Sequence, residues 1–170
     1  MESIRSAVER AVDQLAMDPE AGVGPDATAV ATLEDGLRCR IRGPKGEVVT
    51  DMGESVGGAG AGPTPGWLMR AALASCDATV IAIEAAREGI ELTALTVTVD
   101  SESDARGVLG VGDGIPPGPL AVTVRIELAA SNATEAQLRD LVGRLEILSA
   151  VGDALTRAID VRTELVLSGT

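Results

Sequence analysis

The stretch TPGWLMRAALASCDATVIAIEAAREG, Thr64 to Gly89, decides the fold. Thr64-Pro65 is a helix start, because the threonine oxygen can accept from a free backbone N–H and proline at the first helical position forfeits no bond. Gly89 stands where a helix ends with a left-handed residue. The spacing therefore predicts a helix over Pro65–Glu88, about 36 Å long at 1.5 Å per residue. Leu68, Ala72, Cys76, Val80 and Ile83 share one face, and Trp67, Leu73, Ala74 and Ile81 make other faces apolar too. A helix apolar nearly all round is a buried one. We expect it to be the central helix of the fold, with Cys76 near its middle.

On the N-terminal side, Ile4, Ala7, Val8, Ala11, Val12 and Leu15 recur at helical spacing, predicting an amphipathic helix over residues 1–17 that stops before Asp18-Pro19. Residues 19–26 are a connector and 27–52 read as strands, with Leu37, Cys39 and Ile41 alternating with Arg38, Arg40 and Arg42. Gly43-Pro44-Lys45-Gly46 turns the chain back into Glu47–Asp51, a hairpin. Residues 53–62 are glycine-dense and lack the Lys-Ser/Thr of a phosphate loop, so they read as a mobile surface loop. On the C-terminal side, Leu92–Val99 alternates, and Leu120 to Leu128 is the clearest strand. Thr134-Glu135-Ala136-Gln137 is a capping box. A break at Gly152, a short helix over Asp153–Ala158 and a last strand over Val161–Leu167 complete the reading. Antiparallel, hairpin-like strand groups separated by helices make the class α+β. We expect one domain, 1–170, with no internal repeat.

Composition removes several chemistries. The 170 residues include no His, Tyr or Phe and one Trp. Without His there is no Ser-His-Asp triad and no imidazole base or metal ligand. Two Cys cannot make a four-thiolate zinc site, nor is there a His to complete one with them. No cofactor or metal is expected. Fourteen basic against 26 acidic residues give a net charge of −12. Such a field repels phosphate backbones and anionic membranes, so neither nucleic acid nor membrane is an expected partner. The most apolar stretch, Ala71 to Ala86, carries Asp77 and Glu84 and is short for a span. With no apolar leader after Met1 and only two cysteines, a cytoplasmic, reducing setting is expected.

Cys76 is the first chemical candidate. A reactive thiol needs a neighbouring cation or a helix N-terminus. Cys76 lies about three turns into its helix, so a cation would have to come from elsewhere, with Arg38, Arg40 and Arg42 as sources. The alternative is a small buried hydrophobe, which free Cys often is. Cys39, alternating with Leu37 and Ile41, reads as core. Trp67 reads as core or as the wall of a pocket. The alternating Asp100, Glu102 and Asp104 read as a solvated strand end, with a cation site the less favoured reading.

Gly62-Pro63-Thr64-Pro65, Leu73-Ala74-Ser75-Cys76 and Gly89-Ile90 resemble the signature of the OsmC/Ohr family (osmotically inducible and organic hydroperoxide resistance proteins). The order around them matches as well. Upstream lie Gly46 to Asp51 and a Gly-Gly loop; downstream lie Asp104 to Gly110, a strand, and Ser149 to Leu155. The resemblance spans roughly residues 28–167 and implies an OsmC-like fold, antiparallel sheets wrapped around a long buried central helix in an intertwined homodimer. It implies a thiol peroxidase whose first cysteine attacks a hydroperoxide, becomes a sulfenic acid and condenses with a second cysteine. An Arg and a Glu usually hold the thiolate. Carried over, Cys76 falls on the first cysteine and Ser149 on the second, where no disulfide can form. The usual acidic residue falls at Gly66 or Trp67. The Arg is one of Arg38, Arg40 and Arg42, with Arg42 taken as the thiolate partner. If the family geometry holds, the Ser149 hydroxyl lies near the Cys76 sulfur and can donate to its thiolate.

Three functions follow as expectations. One is a one-cysteine hydroperoxide reductase in which Cys76 is oxidised and an external thiol resolves it. Another is a catalytically degenerate protein of the same fold that binds a small apolar ligand at the dimer interface. The third is a structural stress protein without a specific ligand.

Overall fold

A computed structural model describes residues 2–167. In chain order the elements are α1 (Glu2–Met17), β1 (Val30–Asp35), β2 (Arg38–Gly43), β3 (Gly46–Thr50), α2 (Pro65–Glu88), β4 (Leu92–Ser103), α3 (Ala105–Val108), β5 (Pro119–Ala130), α4 (Glu135–Gly143), α5 (Leu145–Leu148) and α6 (Ala150–Thr156). Helix α2 has the predicted bounds. The Thr64 side chain accepts from the Trp67 N–H, Pro65 occupies the first turn, and Gly89 closes the helix at φ +70°. The Thr134–Gln137 capping box starts α4 as predicted.

Both sheets are antiparallel. One runs β1-β2-β3 and the other pairs β4 with β5. In the second sheet Val97 faces Ile126 and Val99 faces Val124 across the ladder. Leu95, Val97, Val99, Ile126 and Leu128 are half-buried and alternate with exposed polar residues, the period-2 signature of a sheet with one covered face. Helix α2 packs on β4 and also meets α1 and α4 to α6. The tightest core lies at its C-terminal end, where Ala85 and Ile90 pack with Leu141 of α4.

Before α2, the glycine-dense segment is held in place. The Asp51 carboxylate accepts from the N–H groups of Met52, Ala59 and Ala61 at 2.8, 3.1 and 3.0 Å. These bonds, the one from Ala61 foremost, outweigh burial and hold Asp51 below the usual carboxylate range. Gly58 is required by close approach, since a Cβ there would stand 2.0 Å from the Met52 carbonyl oxygen. The segment is thus a loop closed on a buried carboxylate, not the free surface loop its composition suggests.

Four expectations are corrected. No strand forms over Val161–Leu167; the segment is irregular and exposed. Its alternation fits a strand, but it pairs with no other strand among the described residues. Trp67 is 49% exposed and not core; within the single chain helix α2 buries the face that carries Leu73, Asp77, Ile81, Glu84, Ala85 and Ala86, which is consistent with the expected central helix. Cys39 is half-buried and not core: its cross-strand neighbour Thr50 is buried, but Leu33 on the other side is exposed. The short helix expected over Asp153–Ala158 begins earlier, at Ala150, because Ser149 caps it and Gly152 is accommodated inside it.

The described structure exposes 12266 Å², against about 7,800 Å² for a compact 17.2 kDa protein. The excess sits where apolar side chains lack a neighbour: Leu33 and Leu37 near the first sheet, Leu120 and Val122 on β5, and Val161 and Leu165 to Leu167.

Candidate functional site

Cys76 and Asp77 sit side by side on α2, with Asp77 turned inward to β5 and the terminal helices and Cys76 half-buried at the edge of that face. The turn between α5 and α6 brings Ser149 against both. Its Oγ donates to Asp77 Oδ1 at 2.6 Å and lies 3.7 Å from Cys76 Sγ. Ser149 is also the N-cap of α6, accepting from the Gly152 N–H at 3.1 Å. Asp77 and Ser149 are each only 4% exposed.

These two residues sit in the wall of an apolar cleft of about 630 Å³. Val122, Val124 and Ile126 of β5 form one side, facing Leu73 of α2, Leu145 of α5 and Leu155 of α6. Glu146 and Thr156 add the remaining polar groups. A second cleft of about 570 Å³ adjoins it, sharing Val124, Ile126 and Val142. Cys76 does not itself line the first cleft; Ser149, which does, lies 3.7 Å from its sulfur.

The structure brings Cys76 and Ser149 together and leaves the arginines of β2 elsewhere. Arg40 bonds Glu34 and Glu47 at 2.5 Å each, Arg38 bonds Glu34 at 3.0 Å, and exposed Arg42 pairs with Glu47 at 3.7 Å. Arg42 is therefore not the thiolate partner within this chain: β2 lies in the other sheet, and its cations are satisfied by the carboxylates of β1 and β3. Among the described residues, no cation bonds Cys76 or Asp77. Trp67, in the first turn of α2, is no part of either cleft wall. The carboxylates of the β4 end do not cluster into a cation site among the described residues. Instead Asp104 caps α3 and binds Arg106, whose hydrogen bond holds it below the usual range.

Two features escaped the sequence reading. Asp77 was visible only as a charge inside an apolar helix. A charge on the face that must be buried is itself a functional signal, since burial is costly without a partner. The second is an ion network two turns further along α2. Glu84, 4% exposed, accepts from Arg144 at 2.7 Å and Arg87 at 2.8 Å, and Arg144 also bonds Asp140 and Glu88. Burial raises the Glu84 pKa, but the bonds from Arg144 and Arg87 outweigh it, and the net shift is downward.

A long helix packed on one antiparallel strand pair, with a three-stranded antiparallel sheet before it and short helices after it, defines the class as the OsmC-like fold. The chain belongs to the OsmC-like protein family, whose model matches residues 57–164. An OsmC-like protein from Mycoplasma pneumoniae matches with a TM-score of 0.65 at 14% identity, over 78% of this chain and 89% of that one. An OsmC-like protein from Vibrio cholerae gives 0.65 at 13%, over 78% and 95%. An organic hydroperoxide resistance protein OsmC from Legionella pneumophila gives 0.56 at 17%, over 78% and 92%. At these identities the structures speak for the fold. No curated protein matches the sequence.

Proposed function

We propose that this protein reduces organic hydroperoxides by a one-cysteine, thiol-dependent cycle. The observation that carries the reading is the placement of the Cys76 sulfur 3.7 Å from a hydroxyl that lines an apolar cleft. Reacting thiol, proton-carrying group and a seat for an organic body stand together. The cysteine attacks the terminal peroxide oxygen, the O–O bond breaks, and R–OOH plus Cys–SH become R–OH plus Cys–SOH. The thiol proton ends on the departing alcohol oxygen. Ser149 cannot condense with the sulfenic acid, so two equivalents of an external thiol return Cys–SH and release water and a disulfide. Both cysteines are free, as such a cycle in a reducing cytoplasm requires.

The working form in this reading is a homodimer. The chain exposes roughly 4,500 Å² more than a compact protein of its mass. Obligate interfaces bury about 2,000–5,000 Å² or more summed over both partners and are apolar; two such chains, with about 9,000 Å² of excess between them, can supply that, and the exposed side chains named above are apolar.

Mild treatment of the wild type with cumene hydroperoxide, followed by mass spectrometry, tests the cycle. Sulfenic acid at Cys76, advancing to sulfinic acid in excess peroxide, is expected, with no Cys39–Cys76 disulfide. The Ser149→Cys variant should instead join Cys76 to the introduced thiol. A Cys76 that stays unmodified overturns the reading. It would favour the second one, a protein that binds a small apolar ligand, which draws support from the absence of Cys76 from the cleft wall and, among the described residues, of any cation bonded to its sulfur.

A further inference from the structure

The Ser149 hydroxyl has one hydrogen and two neighbours that could take it. Asp77 Oδ1 is 2.6 Å away and Cys76 Sγ is 3.7 Å away. A hydroxyl-to-carboxylate bond of 2.6 Å is in the short, charge-assisted range. One lone pair of the same oxygen is taken by the Gly152 N–H at 3.1 Å. What remains toward the sulfur is a lone pair, which receives an S–H and offers nothing to a thiolate. The expected donation from Ser149 to a thiolate is therefore not the arrangement this geometry favours.

We infer that Asp77 controls the protonation of Cys76 through Ser149: an ionised carboxylate draws the hydroxyl hydrogen and leaves Cys76 as the donating thiol, whereas a neutral group at position 77 turns that hydrogen to the sulfur. The two states differ by reversal of one chain. In the first, S–H donates to O–H, which donates to the carboxylate. In the second, the residue at 77 donates to the Ser149 oxygen, whose hydrogen points to a thiolate. Every hydrogen bond is kept in both, and no atom is gained or lost between them. The other groups on this site do not compete. From β5 only apolar side chains face it, Glu146 of α5 is exposed, and Asp153 of α6 is held by Arg157 at 2.7 Å. Asp77 is thus a positioning residue and acts as a brake on the thiol. The inference deepens the hydroperoxide-reductase reading and rests on it for its meaning, but its test uses no peroxide.

The test is the rate of Cys76 alkylation by iodoacetamide against pH, resolved from Cys39 by peptide mapping, in the full chain. Asn at position 77 can donate its amide hydrogen to Ser149 and so imitates the neutral state. Asp77→Asn should move the alkylation midpoint down by about one pH unit or more, a tenfold or greater gain in rate on the rising limb. In a Ser149→Ala background the same substitution should move it far less. Simple loosening of the site would raise the plateau and leave the midpoint in place. A midpoint that is unmoved or moves up overturns the inference. So does an equal shift in both backgrounds, which would mean that the charge acts through space without the hydroxyl. A second measurement needs no change at position 77: the infrared S–H stretch of wild type minus Cys76→Ala at neutral pH. A band displaced as for a hydrogen-bond donor is expected; its absence, meaning a thiolate, overturns the inference. If the thiol behaves as described but cumene hydroperoxide leaves it unmodified, the reductase reading fails alone. If sulfenic acid forms but Asp77→Asn leaves the midpoint in place, the inference fails alone.

Discussion

At Ser149 a single hydroxyl caps α6 and satisfies a buried carboxylate. Ser149→Ala removes a helix cap, worth about 1 kcal/mol, and leaves Asp77 without its partner, worth roughly 1–3 kcal/mol more. The variant is expected to lose about 2–4 kcal/mol in urea unfolding, seen as a lower midpoint with an unchanged slope. A loss below 1 kcal/mol would mean that neither bond matters. Cys39 gives a contrasting expectation. It is half-buried, beside Leu33 and Thr50 across its strand neighbours, and no bond links it to Cys76. Cys39→Ala should cost about 1 kcal/mol, a small packing loss, and leave the oxidation of Cys76 by cumene hydroperoxide unchanged. Loss of that oxidation would place Cys39 in the chemistry. That Cys76 and Ser149 would meet was legible from the family resemblance. The part of Asp77 was not, because sequence order does not say which side of a helix an i+1 residue presents to a turn 72 positions away.

Among elements, α2 and α4 are joined by charge as well as by packing. Arg144, just after α4, reaches across to Glu84 and Glu88 on α2 and back to Asp140. Removing one member of a buried pair leaves an uncompensated charge, though Arg87 stays with Glu84. Arg144→Met should therefore cost about 2 kcal/mol near neutral pH. The pH dependence has a definite sign. The folded pKa of Glu84 is depressed, so its contribution is complete above the unfolded value of about 4.3 and is lost as pH falls through the lower folded value. The stability difference between wild type and variant should shrink over that acid range, as read by urea midpoints at pH 3 to 7. A difference that is constant with pH would assign the effect to packing. The capping box, the proline start and the glycine stop of these helices were all readable in the sequence, since each is a local contact within four residues. The Arg144 network was not, because its partners are 56 and 60 residues apart.

For the whole molecule, the decisive quantity is the surface left uncovered. Apolar side chains beside the first sheet (Leu33, Leu37), on β5 (Leu120, Val122) and in the segment after Thr156 stand exposed. The proposed dimer covers them. Sedimentation at micromolar concentration should give twice 17.2 kDa, and a chain ending at Asp160 should dissociate more readily, having lost Val161, Leu165, Val166 and Leu167. A stable wild-type monomer would refute the dimer. A truncated chain that associates as tightly as the full one would remove the terminal segment from the interface.

The sequence by itself determined the class of the fold, the limits of α2, the start of α4, the antiparallel hairpins and the absence of imidazole chemistry, and the family resemblance put Ser149 beside Cys76. These follow from periodicity, caps, composition and motif order, all of which act over short range or by inventory. Tertiary structure decided the rest. It fixed which face of α2 is covered, that β2 keeps its arginines for Glu34 and Glu47, that Val161–Leu167 finds no ladder within the chain, and that Asp77 takes the Ser149 hydrogen. Each of these depends on which distant groups come within about 3 Å of one another, and a hydrogen bond is won or lost over less than 1 Å.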